Sequence, residues 1–182
     1  MKAKARHVAF LAAVVLAAGM MGCSQQAIKV SGGEETLPAK EGSPAFLDRL
    51  SSQTSVSEND AYRGVLMLVD GEDTSETFRE RAERLAATGT AARIWKHDAN
   101  RPITRGKVAF MICKICKIRG GVIMHLTGAT QRYCVRELQY MEMMGPGTPL
   151  SPVTGLEFVA LLTRADVYRK TGELPAIMEV TQ

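Results

Sequence analysis

Three cysteines and a histidine have the spacing Cys113-x2-Cys116-x8-His125-x8-Cys134, which could supply four soft ligands to a structural zinc ion. The Cys113-Lys-Ile-Cys116 pair alone has the spacing of a dithiol redox site, but that chemistry needs its first thiol at a helix N-terminus, where the dipole favours thiolate. Here the pair falls some nine residues after Thr104, towards the negative end of its helix. The remaining readings of the thiols are a bridge between Cys134 and one partner, or simple packing. Lys117 follows Cys116, so there is no covalent haem motif. Arg105 stands directly behind Thr104. An arginine in a first helical turn sits beside free amides and the positive end of the dipole, a place suited to a carboxylate or phosphate. Trp95, the single tryptophan, lies ten residues upstream and could stack on a sugar face. The plainer alternative pairs Arg105 with an acid and puts Trp95 in the core.

Other constellations point away from catalysis. His97-Asp98 has no glycine-flanked serine to complete a hydrolase triad. Asp70-Gly-Glu-Asp73 lacks EF-hand spacing and reads as a turn that caps a helix at Phe78. Met141, Met143 and Met144 read as core filling rather than as copper ligands. No glycine-rich phosphate loop follows a strand, and no resident cofactor or metal is expected.

The elements that would hold these residues are helical. Val108, Met111, Ile112 and Ile115 follow Pro102-Ile-Thr104, and Phe158, Leu161, Leu162 and Ala165 follow Pro152-Val-Thr154. Both sets show the i, i+3, i+4, i+7 pattern of an amphipathic helix behind a threonine cap. They coincide at an offset of 50 residues, the mark of an internal repeat. A weaker copy begins at Val56-Ser57, ahead of Ala61, Val65, Leu68 and Val69. A second helix type recurs at 78–86 and 132–140, each copy followed by a glycine break. Gly120-Gly121 is expected to stop the third helix, and 122–126 reads as a short strand or a buried helical turn. The expectation is an all-α domain over 54–170, about two helical-hairpin repeats with roughly five helices, and a tail at 171–182.

Upstream, a basic start leads through the apolar run 8–21 to Gly22-Cys23-Ser24, the order of a secretory leader. Met20-Met21-Gly22-Cys23 resembles the lipobox of bacterial lipoproteins. That resemblance implies cleavage after residue 22, acylation of Cys23, and anchoring in a lipid bilayer of the cell envelope, with Ser24 favouring the outer membrane. Residues 23–53 are rich in Ser, Gly, Glu and Thr and read as a tether that reaches about 30 Å from the anchor, with a short helical turn expected at Pro44–Leu50. Loss of the leader takes Lys2, Lys4 and Arg6 with it and lowers the formal charge from +4 to about +1. A near-neutral mixed surface has no footprint for nucleic acid.

Ile103-Thr104-Arg105-Gly106-Lys107 with its apolar helix is similar to the Ile-Thr-Arg-Ala-Glu signature of S-layer homology (SLH) repeats, across about residues 55–168. Lys107 stands where that family has Glu, and Thr154-Gly155-Leu156-Glu157 keeps the Glu without the Arg. The resemblance implies non-covalent binding of cell-wall polysaccharide in grooves lined by the arginine. It carries Thr104 and Arg105 over as site residues, with Glu157 as a partial match and Trp95 as the stacking candidate. The other expectations are an envelope protein-interaction module, or a protein held together by zinc or a disulfide.

Overall fold

In the computed structural model the described residues are 30–31, 43–120 and 128–174. Six helices dominate them: α1 (Ser43–Ser51), α2 (Glu58–Asp70), α3 (Phe78–Ala87), α4 (Arg105–Ile115), α5 (Gln131–Tyr140) and α6 (Gly155–Thr171). Among the described residues the protein is all-α, its one named sheet a two-residue parallel pairing of β1 (Val30–Ser31) with β2 (His97–Asp98). The leader, Cys23, most of the expected tether, 122–126 with His125, and 175–182 lie outside the described residues.

The architecture follows from three short sequences of one type, Val56-Ser57, Ile103-Thr104 and Val153-Thr154. Each hydroxyl caps its own helix by accepting from the amide three residues on, at Asp60, Lys107 and Glu157, which is worth about 1 kcal/mol apiece. The apolar residue before each cap joins a closed cycle of backbone bonds. Val56 N–H donates to Val153 O (3.0 Å), Val153 N–H to Ile103 O (3.2 Å), and Ile103 N–H to Val56 O (2.8 Å). All three side chains are fully buried. Helices α2, α4 and α6 therefore start from one hub with approximate threefold symmetry. Their first amides are spent on neighbouring loops: Glu58 N–H on Arg101 O, Arg105 N–H on Ser151 O, and Gly155 N–H on Gln53 O.

Two hairpins of the ring, α2–α3 and α4–α5, are continuous in sequence. The third is assembled from the chain ends, because α1 packs against α6. This corrects two expectations. Residues 43–51 belong to the folded domain rather than to the tether, since Phe46 and Leu50 are fully buried, and burial of such side chains contributes about 1.5–3 kcal/mol each. The repeat is also closer to three units than to two. Gly155 explains how the ends meet: a Cβ there would lie 1.7 Å from Leu50 O. The position where the SLH signature has arginine has to be glycine for α1 to dock.

Smaller differences have local causes. Helix α4 stops at Ile115, before Gly120, because Lys117 adopts φ +52°. Thr77 caps α3, whereas Asp73 holds Arg81 in an ion pair shielded from solvent.

Candidate functional site

Hub symmetry brings the residue after each cap next to the residue three after the following cap, and so defines three junctions. At the first, Glu58 (α2) meets Lys107 (α4), with Nζ 2.5 Å from Oε1. Lys107 also donates to Lys96 O at 3.0 Å, and its Nζ lies 5.5 Å from the centre of the Trp95 ring. Glu58 Oε2 accepts from Asp98 N–H at 3.2 Å. Trp95 meets Phe110 edge to face at 5.3 Å, and the Tyr62 hydroxyl lies 2.8 Å from His97 Nδ1. Burial first, and then the charge on Lys107, lower the His97 pKa to about 4. Burial and the Glu58 carboxylate push the Tyr62 hydroxyl up, so both rings are neutral at physiological pH. β1 pairs its backbone with β2 beside this cluster.

At the second junction the charges are reversed. Arg105 (α4) places Nη2 between the two oxygens of Glu157 (α6), at 2.7 and 2.8 Å, and Nη1 donates to Gly145 O at 2.8 Å. Burial raises the Glu157 pKa, and Arg105 opposes that rise. The loop after α5 is held over the arginine: Gln139 Nε2 donates to Gly145 O and Gly147 O at 3.1 and 3.0 Å. A Cβ on Gly147, whose φ is +156°, would lie 2.6 Å from Arg105 Nε, so glycine is required for that close approach. Outside the loop is a cleft of about 570 Å³ bounded by Gln139, Glu142, the 145–147 loop and Arg164. Arg164 donates to Glu142 O at 2.7 Å and Met143 O at 3.3 Å.

At the third junction Gly155 has no side chain to offer Asp60. The strap α1 and the turn after it substitute, with Arg49 of α1 at 3.3 and 3.5 Å and Gln53 Nε2 of the turn at 3.3 Å from the Asp60 carboxylate.

The expected site residues therefore separate. Thr104 is a helix cap. Arg105 and Glu157 come together as an ion pair in which Oε2 accepts a hydrogen bond and the buried Oε1 accepts none, so the arginine does not project freely from the first turn as expected. Trp95 belongs to the first junction, not to the arginine's, and is half-buried against Phe110 rather than laid out as a sugar platform. Sequence reasoning missed Glu58, which stands at the arginine's position in the first unit. The signal was available: Lys107 reverses the expected charge, and an acid one residue after the Ser57 cap is its complement.

The zinc arrangement is not assembled by its three described members. Cys113 faces Cys134, while the Cys116 thiol turns towards Ala165 O at 3.8 Å; His125 lies outside the described residues. Met143 and Met144 are buried in the core, with Met141 packed against it. Among the described residues, no group of three or more His, Cys, Asp or Glu could hold a metal ion, and no helix is long and apolar enough to cross a membrane. Comparison with protein-family models, with curated proteins and with solved structures returns no match.

Proposed function

We propose that this chain is a lipid-anchored, non-enzymatic protein of the cell envelope that attaches a membrane to cell-wall or surface polysaccharide. The carrying observation is the cleft at the second junction, whose wall is the 145–147 loop held in place by Arg105, Glu157 and Gln139. Three capped helices around one hub also support the SLH resemblance, since family members use three repeats to complete a groove. Arg105 acts here as a positioning residue. It fixes the Gly145 carbonyl and Gln139 holds the Gly147 carbonyl, while Gln139, Glu142 and Arg164 offer the amide oxygen, carboxylate and guanidinium that hydroxylated or anionic sugars hydrogen-bond.

Co-sedimentation of the soluble chain 24–182 with purified sacculi and surface polysaccharide tests this. The protein should pellet, and Arg164→Ala and Gln139→Ala should each weaken pelleting at least several-fold without unfolding it. Absence of pelleting by the wild-type protein overturns glycan attachment and favours a protein partner in the envelope. That second reading has its own observation: Tyr140, Leu150 and Leu156 are large apolar side chains left exposed.

A further inference from the structure

The described thiols are not equivalent. Cys113 lies on α4 and Cys134 on α5, two helices packed along their lengths, and both side chains are buried. Cys113 Sγ lies 4.0 Å from the Cys134 carbonyl oxygen. The proximity of the two side chains favours thiolate at Cys134, lowering its pKa, and, together with burial, favours the protonated form of Cys113, raising its pKa. Cys116, one turn on, points instead at α6, where burial pushes its pKa up to about 11. Cys134 is thus the readier of the facing pair to ionise, and the third thiol is held apart on another helix face.

We infer that Cys113 and Cys134 form a specific redox pair that closes into a disulfide across α4 and α5 by exchange with a disulfide-bearing oxidant. Cys134 gives up its proton and its thiolate attacks one sulfur of the oxidant, forming a mixed disulfide and releasing one oxidant thiolate. Cys113 then gives up its proton and attacks the Cys134 sulfur, expelling the second oxidant thiol. Two electrons and two protons leave the protein, and one S–S bond forms in it while one is broken in the oxidant. Because both sulfurs are buried, exchange takes place when α5 lifts from α4. The bond then fastens the hairpin whose far end carries the cleft wall, across a separation of 21 residues. An exported chain meets oxidants of this class, but the pairing rests on the helix interface and not on the glycan function.

The test uses the full chain with Cys23→Ser, leaving three thiols. After equilibration with oxidised glutathione, the intact protein should be lighter by two hydrogens. Digestion without reductant should link the peptides that contain Cys113 and Cys134, with Cys116 alone open to alkylation in denaturant. Reductant should lower the thermal midpoint by roughly 6–12 °C, a shift that Cys116→Ser keeps and Cys134→Ser abolishes. Three alkylatable thiols after oxidation, or a bridge that includes Cys116, would overturn the pairing. Peptide mapping of the wild-type thiols decides the matter even if Cys134→Ser does not fold.

Discussion

The first and second junctions of the hub use the same device in opposite polarity and for different ends. At the first, the acid follows the cap of α2 and the base comes from α4; Glu58 and Lys107 are 1% and 11% exposed at their side chains. Trp95, Phe110, Tyr62 and His97 close over them. At the second, the base follows the cap of α4 and the acid comes from α6; Arg105 and Glu157 are 12% and 18% exposed, under a glycine loop that borders a cleft. An ion pair between successive helix starts can therefore serve as a sealed joint or as the back wall of an open surface. What separates the two is the aromatic lid over one and the Gly-Pro-Gly loop over the other. The third junction, where α1 brings Arg49 to Asp60 at 40% and 18% exposure, shows the device at its weakest.

The largest effect should come from breaking the sealed joint. Glu58→Ala leaves Lys107 charged, buried and unpaired, and should cost about 3–5 kcal/mol in chemical denaturation. The same joint should give the protein its pH response. The ordinary pKa of histidine is 6.5, and His97 is held at about 4. Between those values the unfolded chain binds a proton that the folded chain refuses. Stability should fall as pH drops through that window, by about 3 kcal/mol in all, and level off below it. Denaturation midpoints from pH 7 to 4 measure this, and His97→Gln should flatten the curve.

A smaller effect is expected at the open joint. Arg105→Ala should cost about 2 kcal/mol, since it removes the cation from Glu157 and a donor from Gly145 O. It should also loosen the 145–147 loop, read as faster amide exchange there than in α2. The smallest belongs to the strap: Arg49→Ala breaks a largely solvated pair and should change stability by less than about 1 kcal/mol.

Much of this ring was legible locally. A threonine before an apolar wheel identified α4 and α6, and the fifty-residue offset between them is one step around the hub. The strap was legible only as a short helical turn at 44–50 and not as part of the core, because α1 presents few apolar residues, and Phe46 and Leu50 are buried by elements distant in sequence, α6 among them. The charge pairs were half legible. Lys107 and Gly155 looked like departures from a signature, whereas one is the complement of Glu58 and the other is the space α1 needs. Neither meaning exists within a single repeat. Trp95 was misplaced for a similar reason: its neighbours Lys107 and Phe110 lie on the far side of a loop whose path the sequence does not define.

Double-mutant cycles at the junctions test the cyclic hub most directly, with Glu58→Gln and Lys107→Met at the first set against Arg49→Ala and Asp60→Ala at the third. The hub predicts a coupling of about 1.5–3 kcal/mol between Glu58 and Lys107, and below about 0.5 kcal/mol between Arg49 and Asp60. Additive losses at Glu58 and Lys107, with no coupling between them, would contradict it.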